Sequence, residues 1–172
     1  GGAGNDRVYF LLGADNGPID SDVVAGGDDI DTLDMTLSTS PVEVNLTDNT
    51  VRDLASLIGG TISGFENVVT GDGNDSLRGG AEANALDAGL GNDTLDGAGG
   101  NDVLLAGDGD DHVYDGDGAD TLTGGAGVDT LHLVDGVTPA DAAYDLGAAS
   151  FTTAAGDVIS GFENLVGSAV AE

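Results

Sequence analysis

Basic side chains are almost missing from this chain of 172 residues: Arg7, Arg52 and Arg78 stand against 32 acidic residues, giving a net charge of −29. An excess of that size repels nucleic acid and anionic membranes, so neither is expected as a partner. Cysteine is absent, which excludes disulfides and thiolate metal sites. The longest apolar run is the five residues Val8 to Leu12, too short to cross a membrane as a helix. Aromatic residues make up 4%. No signal peptide is visible and the first residue is not Met. No nucleophile stands with a base and an orienting acid.

Glycine, by contrast, is abundant at 31 residues, and it is ordered along the chain. From residue 70 to 132 a nine-residue unit runs seven times without insertion or deletion: TGDGNDSLR, GGAEANALD, AGLGNDTLD, GAGGNDVLL, AGDGDDHVY, DGDGADTLT and GGAGVDTLH. The second place holds Gly71, Gly80, Gly89, Ala98, Gly107, Gly116 and Gly125, and the fourth holds Gly73, Glu82, Gly91, Gly100, Gly109, Gly118 and Gly127. The sixth holds Asp75, Asn84, Asp93, Asp102, Asp111, Asp120 and Asp129. The eighth is always aliphatic, with Leu77, Leu86, Leu95, Leu104, Val113, Leu122 and Leu131.

Glycines at the second and fourth places allow sharp turns through positive φ and leave carbonyl groups uncovered. The polar, aliphatic, polar triplet after the Asp is the shortest strand that points one residue inward and its neighbours outward. A unit this small buries nothing alone, so successive units must stack around a shared interior, as a solenoid. Stacking brings sixth-place carboxylates together. A bare pair about 5 Å apart repels by roughly 1 kcal/mol in water and about 3 kcal/mol at an effective dielectric of 20. Three arginines cannot neutralise such a row. A hard divalent cation can, because carboxylates and glycine-turn carbonyls are the oxygen donors calcium prefers; magnesium demands a more rigid octahedron.

The units resemble the calcium-binding nonapeptide repeat G-G-x-G-x-D-x-U-x of RTX proteins, the hemolysin-type repeat. The resemblance implies an all-β fold, a parallel β-roll with two units per coil, so that each unit lies over the next but one. It implies several Ca2+ ions between stacked turns, held by sixth-place carboxylates and by carbonyls of Gly71, Gly73, Gly89, Gly91, Gly100, Gly107, Gly109, Gly116, Gly118, Gly125 and Gly127. The facing carboxylates are then Asp75 with Asp93, Asp93 with Asp111, Asp111 with Asp129, and Asp102 with Asp120. A further pairing, Asn84 with Asp102, departs from the pattern through Asn84 and Glu82 and is expected to be weak or empty.

Outside the row, residues 1 to 9 form one complete unit with Asp6 and Val8 in place. A linking stretch, Phe10 to Ala25, precedes a defective unit at 26 to 34, GGDDIDTLD, with Asp31 and Leu33 in place but Asp29 where Gly belongs. Alternation at Val42, Val44 and Leu46 predicts a strand, followed by a loop to Ile58 and the segment Ile62-Ser-Gly-Phe-Glu-Asn67-Val. The parts recur after the row: alternation at Ala142, Tyr144 and Leu146, then Ile159-Ser-Gly-Phe-Glu-Asn164-Leu. Phe65 and Phe162 are 97 residues apart, which sets a longer period of about a hundred. The organisation expected is therefore a partial repeat row with an interrupting segment (1–69), seven tandem units (70–132) and a second interrupting segment (133–172), in one solenoid cut from a longer chain.

A disordered polyanion is expected without calcium, but the strict eighth-place aliphatics have no reason to exist in a coil. An EF-hand is excluded because loops begun at Asp72 or Asp108 put Ala83 or Ala119 where Glu is required. His112 and His132, at seventh and ninth places, read as solvated strand residues. The function expected is a calcium-dependent folding module of a larger exported protein, without catalysis of its own. The resemblance implies type I secretion from a Gram-negative bacterium. Alternative parents are a surface-layer or adhesin protein that self-associates on calcium, a secreted protease, lipase or polysaccharide-modifying enzyme, and a cytolysin.

Overall fold

A computed structural model describes residues 2–10, 23–55, 58–133, 150–153 and 156–167. Among the described residues there are seventeen strands and no helix. The chain opens with β1 (Arg7–Tyr9), β2 (Val23–Ala25) and β3 (Thr32–Asp34), continues with β4 (Val42–Asn45), β5 (Thr50–Asp53) and β6 (Ile58–Ser63), and enters the repeats through β7 (Asn67–Val69). The repeats form β8 (Ser76–Arg78), β9 (Ala85–Asp87), β10 (Thr94–Asp96), β11 (Val103–Asp108), β12 (His112–Tyr114), β13 (Thr121–Ala126) and β14 (Thr130–Leu133). β15 (Phe151–Thr152), β16 (Val158–Ser160) and β17 (Asn164–Gly167) follow.

Consecutive repeat strands fall alternately into two sheets, ordered β1-β3-β7-β9-β11-β13-β16-β15 and β17-β14-β12-β10-β8-β4-β5-β6-β2. Neither sheet closes on itself. Pairing within the repeats is parallel and in step: Ser76 lies beside Thr94, Thr94 beside His112 and His112 beside Thr130. The same eighteen-residue advance relates Ala85, Val103 and Thr121 in the other sheet. Two nonapeptides thus make one coil of a parallel β-roll.

The core is a double file of eighth-place side chains. Leu77, Leu86, Leu95, Leu104, Val113, Leu122 and Leu131 are all fully buried, and Leu33, Ile62, Val68 and Ile159 extend the files at either end. Each three-residue strand can place one side chain inward, so the interior is one aliphatic layer thick. Seventh and ninth places face outward.

The interrupting segment departs from the expected loop. Residues 50–53 form β5, antiparallel to both β4 and β6. Val51 sits opposite Val44, and both are buried. Asn49 turns the hairpin in the left-handed region with φ 56°. Gly59 and Gly60 lie within β6, where a Cβ on Gly59 would sit 2.7 Å from the Arg52 side chain and the Val51 carbonyl. Part of the expected link is also strand: Val23–Ala25 pairs in parallel with Thr61–Ser63. The alternation at Ala142, Tyr144 and Leu146 lies outside the described residues.

The two Ile-Ser-Gly-Phe-Glu-Asn copies occupy opposite sheets. β6 leads from the nine-stranded sheet to β7 in the eight-stranded one, whereas β16 leads the other way to β17. Both phenylalanines, Phe65 and Phe162, are buried in the core.

A single-layer core makes a sharp prediction. Leu104→Ala should lower stability by about 2–5 kcal/mol. Val103→Ala, on the outward face at 40% exposure, should change it by about 0.5 kcal/mol or less. Denaturant midpoints of the two folded variants provide the check.

Candidate metal centre

Between strands the turns stack in two files, one along each edge of the roll. The turns leading into the eight-stranded sheet end in Asp6, Asp31, Glu66, Asn84, Asp102, Asp120 and Asp157; those leading into the nine-stranded sheet include Asp75, Asp93, Asp111, Asp129 and Glu163. A sixth-place Asp immediately precedes its strand, so its short side chain reaches back along the file toward the coil before it. The Asp75 N–H donates to Asp93 Oδ1 at 2.7 Å, Asp93 N–H to Asp111 Oδ1 at 2.7 Å, and Asp111 N–H to Asp129 Oδ1 at 3.0 Å. On the other edge Asn84 N–H donates to Asp102 Oδ1 and Asp102 N–H to Asp120 Oδ1, both at 2.8 Å. The ladder extends beyond the row, with Asp6 N–H on Asp31 Oδ1 and Val42 N–H on Asp75 Oδ1.

Each rung engages one carboxylate oxygen. The other, Oδ2 of Asp31, Asp75, Asp93, Asp102, Asp111 and Asp129, is buried and accepts no hydrogen bond. A Cβ added to Gly97 would lie 2.6 Å from Asp102 Oδ2 and 2.8 Å from the Asp115 carbonyl. At the fourth place Gly91 and Gly109 have φ of 130° and 147°, and a Cβ there would collide with the Gly73 and Gly91 carbonyls of the coil beneath. Gly118 and Gly127 meet the Gly100 and Gly109 carbonyls in the same way. Second-place carbonyls take part in turn-to-turn pairing: Gly71 and Gly89 accept from Leu90 and Asp108 at 3.0 and 2.9 Å. Gly107, Gly116 and Gly125 are stacked against Gly89, Ala98 and Gly107 respectively.

Burial pushes the carboxylates up. Asp93 rises to about 7, with Asp75 and Asp111 adding repulsion, and Asp102 rises to about 6, with Asp120 adding repulsion. Asp75, Asp111 and Asp129 are raised for the same first reason, desolvation. Backbone donors oppose the shift without cancelling it. The arginines bring no relief, because each is held on a strand: Arg7 by Asp34, Arg52 by Glu43 at 3.5 Å and Arg78 by Asp96 at 3.3 Å. Buried half-satisfied carboxylates beside glycine carbonyls fit a hard cation with mixed ligands. Among the described residues no three acidic or histidine side chains cluster around one point, so backbone oxygens must supply the remainder.

The candidate positions are not equivalent. Asp6 is half-buried and accepts the Gly2 N–H of its own turn with Oδ2 at 2.8 Å, in place of a ladder N–H. Asn84 donates its amide to the Glu66 carbonyl and accepts the Gly80 N–H. Asp31 is fully buried although its turn carries Asp29, which adopts φ 77° in place of glycine. Glu66, Glu163 and Asp157 occupy sixth-place positions that the nine-residue pattern does not contain; the twice-repeated Gly-Phe-Glu-Asn was the available signal for the first two. His112 and His132 meet on the outward face, Nδ1 to Nε2 at 3.1 Å, with His132 stacked on Tyr114.

Raised carboxylates set a pH dependence. A group whose pKa is higher folded than unfolded stabilises the fold when protonated and loses that contribution as pH rises through the folded value. Without metal, the roll should gain β structure as pH falls from 8 toward 5 through the titration of Asp93 near 7 and Asp102 near 6. Circular dichroism in chelator across that range tests it.

No curated protein matches the chain. The RTX calcium-binding nonapeptide repeat matches it in four copies, at residues 1–16, 62–95, 69–104 and 96–131, which together span half of it. With its coils of two nonapeptides, its files of turn carboxylates and these four matches, the chain belongs to the RTX calcium-binding nonapeptide repeat family.

Proposed function

We propose that this chain is a calcium-switched folding module of a larger exported protein. The observation that carries the reading is the set of buried carboxylates Asp31, Asp75, Asp93, Asp102, Asp111 and Asp129, each with one oxygen on a backbone N–H and Oδ2 accepting no hydrogen bond. In this reading the pairs Asp75 and Asp93, Asp93 and Asp111, Asp111 and Asp129, and Asp102 and Asp120 hold calcium with the glycine carbonyls between them. Asp31 belongs to the set, and Asp6, which holds the Gly2 N–H with Oδ2, is read with it. The bound ion supplies positive charge where the chain has none. The chain's own residues do the rest: the ladder N–H groups orient each carboxylate, the glycines keep the turns open to oxygen, and the aliphatic file aligns successive coils.

The mechanism is linkage. An ion that binds the roll and hardly binds the coil stabilises the roll by RT ln(1 + [L]/Kd), so binding becomes folding. Extracellular calcium modules work at about 10⁻⁴ to 10⁻³ M. In calcium-poor cytosol the chain stays open and passes through a secretion channel; outside it closes. Family membership supports a secreted setting, and type I export from a Gram-negative cell fits an unfolded passenger. No helix among the described residues is long and apolar enough to cross a membrane. We read residues 1–69, 70–132 and 133–172 as one solenoid within a longer polypeptide that carries any catalysis.

Surface-layer or adhesin assembly is a second reading. It is favoured by outward apolar side chains on the eight-stranded sheet, where Tyr9, Val103, Leu105 and Val158 are all exposed.

Calcium titration followed by circular dichroism tests the switch. A cooperative transition near millimolar calcium, reversed by EDTA and not produced by magnesium, is expected; a flat spectrum rejects it. Asp93→Asn keeps an acceptor for the Asp75 N–H but removes the charge, and should raise the midpoint concentration roughly tenfold, about 1.4 kcal/mol. Concurrent light scattering marks assembly.

A further inference from the structure

The Ile-Ser-Gly-Phe-Glu-Asn turns are not nonapeptides. Three residues, Gly64-Phe65-Glu66 or Gly161-Phe162-Glu163, stand between one strand and the next, where the nonapeptide pattern places six between the ninth place of one unit and the seventh place of the following one. The two copies lie in different sheets and are 97 residues apart, yet they contact the preceding turn through the same atoms. Asp31 N–H donates to Glu66 Oε2 at 2.8 Å, and Asp129 N–H donates to Glu163 Oε2 at 2.8 Å. The Asp31 carbonyl accepts from both Glu66 and Asn67, and the Asp129 carbonyl from both Glu163 and Asn164. Glutamate therefore takes the rung that a sixth-place Asp takes in the repeats.

Oxygen placement is reproduced as well. The Gly64 carbonyl and Asp31 Oδ2 both crowd the position a Cβ would occupy on Gly26, with Oδ2 at 2.7 Å. The Gly161 carbonyl and Asp129 Oδ2 crowd the same position on Gly124, again with Oδ2 at 2.7 Å. Asp31 and Asp129 are each fully buried, and in each Oδ2 has no hydrogen-bond partner. A buried carboxylate oxygen without a hydrogen-bond donor, with a glycine carbonyl in the same turn, calls for a cation.

We propose that each Gly-Phe-Glu turn completes an additional calcium site with the repeat turn before it: Asp31, the Gly64 carbonyl and Glu66 form one, Asp129, the Gly161 carbonyl and Glu163 the other. The inference rests on the reading that the repeat turns take calcium and extends it to a turn of different length and ligand. Two nearby positions show what a closed turn looks like. Asp157 also accepts a ladder bond, from Asp120 N–H, but its second oxygen receives the Thr153 hydroxyl at 2.5 Å. Asn84 seals its side of Glu66 with an amide hydrogen bond. Neither has an oxygen left for an ion. The Gly-Phe-Glu turns differ by leaving the Asp oxygen bare.

Native mass spectrometry of the whole chain in saturating calcium counts the ions. Glu66→Gln and Glu163→Gln keep an acceptor for the ladder N–H while removing charge; each should carry one ion fewer than the parent, and the double variant two fewer. Thr153→Val should show no loss. Folded glutamine variants with the parent's count overturn the proposal. Where circular dichroism shows a glutamine variant unfolded, Glu66→Asp and Glu163→Asp, which withdraw the charge by one methylene, are counted in its place under the same criterion. A parent that takes up no calcium at all defeats the reading of the repeat row instead.

Discussion

A carboxylate that gives one oxygen to the backbone of the neighbouring coil and leaves the other bare is the constraint on which this molecule is built. The first oxygen fixes the stacking register, because Asp93 Oδ1 can reach the Asp75 N–H only when the two turns are eighteen residues apart. The second makes the register costly in the absence of a counter-charge, since a buried ionised group needs a partner. Other features follow. Glycine is required where carbonyls of adjacent coils crowd the Cβ position, as at Gly109 over Gly91. The scarce arginines sit on strands, paired with Asp34, Glu43 and Asp96, so no internal cation competes for the turns.

The aliphatic file and the carboxylate files divide the labour. Leu77, Leu95, Val113 and Leu131 are fully buried and hold one sheet in line, but a layer one side chain thick is a thin core. Electrostatics decides whether that core can form. With protons or cations on the turns the two tendencies agree; with bare charges they conflict. On the proposed reading the fold is conditional on its medium, and the condition is written in the sixth place of the units.

Much of this was legible because the solenoid is periodic. The eighth-place aliphatics and sixth-place acids announce the strand, the turn and the step between coils before any coordinate is known. Legibility ended where the period did. Thr50-Val51-Arg52-Asp53 contains one apolar residue, and its role as β5 depends on Val51 meeting Val44 across a hairpin, a tertiary fact. Gly59 lies within β6 and allows a close approach to Val51 and Arg52, which no local pattern shows. Glu66 and Glu163 were visible as a recurring motif, yet nothing local says that a glutamate three residues past its strand reaches the backbone N–H that a sixth-place aspartate reaches in the repeats. The extra methylene compensates for the shorter turn. Asp6 shows the reverse limit: its place in the pattern is right, but its carboxylate is held by the Gly2 N–H of its own turn and is only half-buried.

The passage of the Gly-Phe-Glu motif from one sheet to the other has a geometrical meaning. Between β6 and β16 the roll completes an odd number of half-coils, so the long period is a translation along the roll combined with a half-turn about it. In symmetry terms the module behaves as one step of a twofold screw. Any feature carried by the interrupting segment, such as the β4-β5-β6 meander inserted in the nine-stranded sheet, would appear on opposite flanks in successive modules. A protein built from such modules would present the same flank at every second step, with distortions from one insertion balanced by the next.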